Sequence, residues 1–548
     1  MHRLLAMPLL FLFAGAIVAQ DDAPAWKTEH RNVQIPMRDG KSLAANVLLP
    51  AKAGKYPCVL VQTPYNKDRM GREYGDNAGE AGRGSSKAWA QLDRQNYAWV
   101  FVDWRGFYGS KEAQQGVDRR NWKRGQDGYD CVEWCAKQEW CNGKVGTWGG
   151  SALGKQQFDT AAEGPPSLVC CVPLIAYQGQ RYEAYFEGGV LLESHVKSLD
   201  TLGFGVGQAV KSARTPDKPV WRLARNNSYA PDKVKVPCLL ISGWWDNYPR
   251  DVVQQLEDLP SRDCKLIMGP WSHTAIDVPE QGDLKFKDAE DYSTKVTMQF
   301  LDYYLRGIKD SGWEKQPRFH AYQCGEGWVT GESWARLRGK AQTWRLHADG
   351  AIATQLPGEA TTENPLTREY TYDPRTASPT VGGQNLPPLT HGPKDVSAIA
   401  KRGDVLVYAT PALESPLRTR GEIELHVPFA CNRVDTDIHV RVCDTHSDGK
   451  SYLVGETILR AKWRDGKTAQ PLKPGEVTEL ALKLPPHAYT WRKGHKLTLI
   501  VTGGNTPRYE RNPHTGADEW DEKSARDATV TIHHNAKTGA RLVLPVVE

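Results

Sequence analysis

Gly149-Gly150-Ser151-Ala152-Leu153-Gly154 sets a serine among small neighbours, between the apolar run 145–148 and a helix-like stretch at 153–163. A serine on a tight strand-to-helix turn presents its hydroxyl outward, and small flanking residues tolerate the strained backbone such a turn needs. The pattern varies G-x-S-x-G: Leu153 takes the last position and the glycine falls one later, at Gly154. A neutral hydroxyl is a poor nucleophile, so it needs a base, and the base needs an orienting acceptor. Two later segments supply them in the order serine, carboxylate, histidine. Leu239-Leu240-Ile241-Ser242-Gly243-Trp244-Trp245-Asp246 is an apolar strand pattern that ends on a carboxylate. Leu266-Ile267-Met268-Gly269-Pro270-Trp271-Ser272-His273 is the next, ending on an imidazole. Of the 15 histidines, His273 is distinguished by following a strand and a Gly-Pro turn. Asp251 and Asp263 compete poorly with Asp246, because they fall in a helix-like stretch and a surface turn. The chemistry expected is acyl transfer, with Ser151 attacking a carbonyl, His273 moving the proton and Asp246 holding the imidazole tautomer.

Such a reaction also needs donors for the oxyanion. The backbone N–H of Ala152 is one candidate. The second should come from the loop at 61–67, which has no glycine run and offers the phenol of Tyr65. The chemistry calls for no metal or organic cofactor.

Positioning these groups requires a particular framework. The front half alternates short apolar runs with amphipathic stretches, as βα units around a mostly parallel sheet do. A hairpin (33–37 and 43–49, around Arg38-Asp39-Gly40) precedes strands at 58–62, 98–103, 145–148, 168–175, 238–242 and 265–268. Helices are expected at 128–137, 153–163, 252–259 and 294–306. Residues 178–235 break the alternation and read as a helical or irregular insertion. From about residue 341 the texture becomes short β-type runs, at 422–427, 438–442, 477–484 and 497–502, expected to form a sandwich or jelly roll. The proline-bearing stretch 378–393 reads as an irregular connection.

The 548 residues exceed one compact core, so two or three folding units are expected. A net charge of +5 and one short basic cluster (Arg119, Arg120, Lys123, Arg124) read as a solvated face and exclude a nucleic-acid partner. The first twenty residues have the layout of a secretory signal peptide: a basic start, an apolar run from Leu4 to Val18, and small residues before Gln20-Asp21-Asp22. That run is shorter than the roughly 20 residues of a spanning helix, so no stable membrane insertion is expected. The mature protein is expected to be secreted or periplasmic, with cleavage near Ala19. Eleven cysteines leave at least one unpaired. Cys131, Cys135 and Cys141 are close enough in sequence for one local disulfide, and buried structural thiols are the alternative. No Cys/His spacing resembles a zinc site.

Further marks lie along nearly the whole chain, among them Ile35-Pro36-Met37-Arg38-Asp39-Gly40, Thr63-Pro64-Tyr65, Asp103-Trp104-Arg105-Gly106, Tyr304-Leu305-Arg306-Gly307 and Asn505-Thr506-Pro507-Arg508. With the three segments above, they resemble the CocE/NonD hydrolase family, which includes cocaine esterase, α-amino-acid ester hydrolases, glutaryl acylases and X-Pro dipeptidyl-peptidases. The resemblance implies an α/β-hydrolase core with an inserted helical cap and a C-terminal all-β jelly-roll (galactose-binding-like) domain. Its expected bounds are a signal peptide at 1–19, core at 26–177 and 236–340, cap at 178–235, and jelly roll at 341–548. It carries the triad onto Ser151, Asp246 and His273, and the oxyanion hole onto Tyr65 and the amide of Ala152. The family usually has tyrosine after the serine, so Ala152 implies a less crowded pocket; the cap is also short for the family. The implied substrate is a small-molecule ester or amide, or a short peptide. An X-Pro dipeptidyl-peptidase would need acidic residues to grip an α-ammonium, for which Glu183, Glu187 and Glu193 are candidates alongside a plain solvated role. A different reading is a secreted glycan- or cell-wall-binding protein with an inactive core.

Overall fold

The computed structural model describes residues 27–70, 92–117, 123–355, 366–535 and 538–548. The expected signal peptide, Arg119 and Arg120 lie outside the described residues.

The front half forms one ten-stranded sheet. Its strands are β1 (Lys27–Pro36), β2 (Ser42–Leu49), β3 (Tyr56–Thr63), β4 (Ala98–Asp103), β5 (Cys141–Gly150) and β6 (Leu168–Leu174). After a small ribbon, β7 (Phe186–Glu187) and β8 (Val190–Leu191), the sheet resumes with β9 (Leu239–Trp245) and β10 (Lys265–Ser272). A second ribbon, β11 (Glu280–Gln281) and β12 (Leu284–Lys285), precedes β13 (Phe319–Gln323) and β14 (Gly327–Gly331). Spatial order is β1-β2-β4-β3-β5-β6-β9-β10-β13-β14. The run from β4 to β13 is parallel, while β1, β2 and β14 join antiparallel at the edges. Every residue of β9 and β10 is buried, as central parallel strands covered on both faces should be. For that reason these strands read as continuous apolar runs in the sequence.

The strands that end on chemistry are longer than their apolar runs. β5 continues to Gly150, β9 to Trp245 and β10 to Ser272, so each delivers its residue at the same, C-terminal edge of the sheet. Helix Ala152–Ala162 follows β5 directly. Its Gln157 clamps it to two strands: the amide donates to the carbonyls of Gly149 (3.0 Å) and Val172 (3.1 Å), and its oxygen accepts from the Val172 N–H (2.9 Å).

Two expectations are corrected. The helix anticipated over 294–306 runs as an α-helix only at Tyr292–Leu301, then widens to a π-turn at Asp302–Arg306 that Gly307 ends at φ 75°. The local disulfide among Cys131, Cys135 and Cys141 is not formed; all eleven cysteines are free and buried. Cys131 and Cys135 lie one turn apart on helix Arg124–Ala136, and both face the apolar core as small hydrophobic groups.

Between β6 and β9 the chain forms the β7–β8 ribbon and three short helices, Glu193–Thr201, Gly207–Ser212 and Pro219–Ser228. They close around their own small core of Tyr182, Phe186, Leu191, Val196, Val210 and Trp221. The C-terminal part holds a nine-stranded and a four-stranded antiparallel sheet. Leu425 and Val427 of the first and Val440, Val442 and Leu499 of the second enter one apolar cluster. Backbone hydrogen bonds join this part to the core sheet: the Cys324 N–H donates to Ala488 (3.0 Å), and the Thr490 N–H to Cys324 (2.9 Å).

Gly154 shows how tightly the serine-bearing helix is seated. A Cβ there would stand 2.5 Å from the Ala176 Cβ and 3.0 Å from the Leu174 carbonyl oxygen. Helix propensity alone favours alanine by about 1 kcal/mol. Overpacking against a rigid neighbour costs about 1–3 kcal/mol and should outweigh it. Gly154→Ala is therefore expected to lower the denaturation midpoint of the hydrolase core, read by urea titration of tryptophan fluorescence. A raised midpoint would show that the helix has room to shift.

Candidate active site

Ser151 sits at the turn between β5 and helix Ala152–Ala162 with φ 58° and ψ −119°, a conformation that L-residues rarely adopt. Holding a non-glycine residue there costs of order 1–3 kcal/mol and persists only where the surroundings enforce it. The enforcement is visible: the Ser151 N–H donates to the Leu174 carbonyl at 2.9 Å, Gly149 takes φ 141°, and the Ser151 carbonyl accepts the Lys155 N–H at 3.0 Å. Ala152 is the first helical residue, so its N–H belongs to the turn of amides that lack an intrahelical acceptor.

Asp246 follows β9 and is fully buried. Its Oδ1 lies 2.6 Å from Nδ1 of His273 and accepts the Asn247 N–H at 2.6 Å, while Oδ2 accepts the Ser242 hydroxyl at 2.7 Å. Three donors thus compensate a carboxylate that water does not reach. With Nδ1 engaged, Nε2 is the ring nitrogen left for proton transfer. His273 is itself buried and packs edge-on against Tyr248, with ring centroids 5.8 Å apart.

Ser151, Ala152, His273 and Tyr65 all line one cavity of about 820 Å³. Tyr65 rides on a loop fixed by two acceptors: its own N–H donates to Thr63 Oγ1 (2.9 Å), and the Lys67 N–H donates to the buried Asp103 carboxylate (2.7 Å). The cavity roof comes from the cap, through Glu193, His195 and Leu199, and from Leu386 to Leu389 of the proline-bearing connection. No motif or periodicity marks this connection as part of the cavity.

The three acidic candidates of the cap part company. Glu187 accepts hydrogen bonds from Thr457 (2.9 Å) and Tyr509 (2.5 Å), which fixes the cap to the β domain. Glu183 is exposed and lines a smaller neighbouring pocket of about 130 Å³. Glu193 alone of the three lines the cavity of Ser151. Among the described residues no second carboxylate joins Glu193 there.

Residues 39–222 and 208–275 match the family model of X-Pro dipeptidyl-peptidase (S15 family), and residues 311–543 match that of the X-Pro dipeptidyl-peptidase C-terminal non-catalytic domain. The chain is also 27% identical over 585 aligned residues to cocaine esterase of Rhodococcus sp. (strain MB1 Bresler), covering 94% of this chain and 98% of that one. The chain belongs to the CocE/NonD family of hydrolases. Among solved structures, its fold is similar to an aminopeptidase from the marine sediment archaeon Thaumarchaeota archaeon, with TM-score 0.81 and 22% identity over 99% of this chain and 98% of that one. An α-amino acid ester hydrolase gives TM-score 0.79 and 22% identity over 97% and 98%. These likenesses establish an α/β-hydrolase fold with a β domain, as the CocE/NonD family has.

Sequence reasoning missed three residues of the cavity wall. Lys155, one turn beyond Ser151 on the same helix, looked like any helix lysine. His195 was one of many histidines, and Tyr248 lay past the aspartate in a stretch with no motif. Burial pushes the Lys155 ammonium down to about 8, with Arg124 adding to the effect. Burial likewise pushes the His195 imidazole down to about 3, aided by His273 and Lys155. A periodicity argument could have flagged Lys155, because a residue four after the serine shares its helix face.

Proposed function

We propose that this chain hydrolyses an ester or amide through an acyl-serine intermediate. Ser151 is the nucleophile, His273 takes its proton and returns it to the leaving group, and Asp246 holds the imidazole. The observation that carries the reading is the strained Ser151 turn, opening on the same cavity as a histidine whose Nδ1 is tied to a fully buried aspartate. A structural serine has no use for a strained backbone beside such a pair. The oxyanion is assigned to the Ala152 N–H and the Tyr65 hydroxyl.

Ester or simple amide hydrolysis is favoured over X-Pro dipeptidyl-peptidase action. Gripping an α-ammonium needs converging carboxylates, and of the three cap candidates only Glu193 borders the cavity. The binding-protein reading gains nothing from the site, because a surface that binds through its β domain needs neither the Ser151 strain nor the buried Asp246. Export belongs to the same proposal and rests on the composition of residues 4–18.

Three outcomes test the reading. A fluorophosphonate probe should label Ser151 stoichiometrically by peptide mapping, and labelling that persists in Ser151→Ala would remove the nucleophile assignment. Tyr65→Phe should lower kcat about 100- to 1,000-fold with a far smaller change in KM, since a phenol donor acts as charge develops. A kcat within about threefold of wild type, well short of that range, would place the second donor elsewhere. N-terminal sequencing of exported protein should begin between about residues 17 and 23, and an intact Met1 on cytoplasmic material would contradict export.

A further inference from the structure

The cavity wall is largely apolar, and one group of its polar side chains gathers into a lobe around Tyr248. Lys155 Nζ stands 4.4 Å from the centroid of the Tyr177 ring and 5.4 Å from that of Tyr248. Tyr177 meets Tyr248 at 5.1 Å, and His195 meets Tyr248 edge-on at 6.3 Å. Tyr248 in turn packs on His273, so the lobe adjoins the proposed reacting centre.

Several of its polar atoms lack a hydrogen-bond partner among the described residues. Lys155 makes no hydrogen bond or ion pair with any described residue; two aromatic faces are its company. His195 Nδ1 and the Tyr177 hydroxyl are buried with no hydrogen-bond partner among the described residues, and each residue is more than nine-tenths buried. A buried polar atom left unpaired is costly, and the His195 imidazole beside the half-buried Lys155 on the cavity wall, with Tyr177 behind them, is an arrangement that a ligand would complete.

The surrounding charges fix the sign of that ligand. Arg124 is paired with Asp159 and Arg181 with Asp251, so Asp159 favours the Lys155 charge only at a distance and both guanidiniums oppose it. The acid on the cavity wall, Glu193, is exposed, as is Lys197. The lobe therefore presents a cation beside an imidazole on the cavity wall, a pair suited to an oxyanion when the imidazole turns its N–H to the ligand. Tyrosine faces hold an ammonium in place without neutralising it, so the lobe stays attractive to negative charge. Enclosure in protein while reaching the cavity accounts for the lowered ammonium affinity for its proton, and a bound anion would reverse that effect.

We infer that this lobe binds a carboxylate of the substrate, so that the substrate class is an anionic ester or amide. The inference rests on the hydrolase reading above and names the substrate of that same site. A carboxylate on the acyl side and one on the leaving-group side would meet the same ammonium.

Matched pairs of substrates separate these sources. The acyl arm compares mono-4-nitrophenyl esters of unbranched dicarboxylic acids with their neutral methyl diesters. The leaving-group arm compares 4-carboxyphenyl butanoate with its neutral methyl ester. Each kcat/KM is corrected for the hydroxide-catalysed rate of that ester and normalised to Ser151 titrated with fluorophosphonate. The wild type should prefer the charged member in one arm, and Lys155→Met should cut that preference about 10- to 100-fold, the worth of one charged hydrogen bond. Lys155→Arg, which keeps the charge, should restore part of it. Competitive inhibition of the wild-type protein by benzoate against benzamide reads the same contact without a substitution, and benzoate should be the stronger inhibitor. Labelled Ser151 with no charge preference in either arm, or equal inhibition by benzoate and benzamide, overturns the anion lobe alone. A Met variant that loses both members of a pair in proportion does the same. No labelling and no turnover of any ester removes the hydrolase reading on which the lobe depends.

Discussion

A carboxylate without access to water is the constraint around which the site is organised. Asp246 is fully buried, and an ionised group there survives only if its oxygens are occupied by donors. His273 Nδ1, the Asn247 N–H and the Ser242 hydroxyl provide them, all within 2.7 Å. The consequence runs outward in two directions. The imidazole is locked in orientation, and the ends of β9 and β10 are tied together through side chains as well as through the parallel ladder. Removing any one of these groups would leave a charge in a medium that cannot solvate it.

The opposing element is the Ser151 turn, where strain takes the place of charge. Gln157 binds the helix to β5 and β6, and the close approach of Gly154 to Ala176 leaves that helix no slack. The two features are complementary. One holds an imidazole by meeting a buried carboxylate with three donors, and the other holds a hydroxyl by denying its backbone any relaxed alternative.

The cap must then stay over the cavity, and buried ion pairs with the β domain hold it there. Glu510 accepts from Arg214 of the cap and from Arg460 of the β domain, and the Arg460 N–H donates to the Gly188 carbonyl at 2.9 Å. Gly188 permits that approach, since a Cβ would stand 2.0 Å from the Ile458 carbonyl oxygen. Breaking one partner of such a buried pair typically costs about 3–5 kcal/mol. The β domain therefore contributes to the site indirectly, by fixing the element that carries His195 and Glu193.

How much of this was legible beforehand follows from which forces act locally. The sequence by itself determined the parallel core, the strand-to-helix placement of Ser151, and the order in which Asp246 and His273 follow, because buried strands and glycine-flanked turns leave short-range patterns. It also marked Tyr65, as the phenol on a loop that has no glycine run. The disulfide expected near Cys131 failed because spacing says nothing of direction, and both helix cysteines point into the core. Only the tertiary structure decided that residues 386–389 close the cavity, that Glu187 is structural, and that Lys155, Tyr177 and His195 meet around Tyr248. Those groups come from the serine helix, from the segment just after β6, from the cap and from the turn after β9. No local pattern links them, since what unites them is burial in a common space that exists only once the chain has folded.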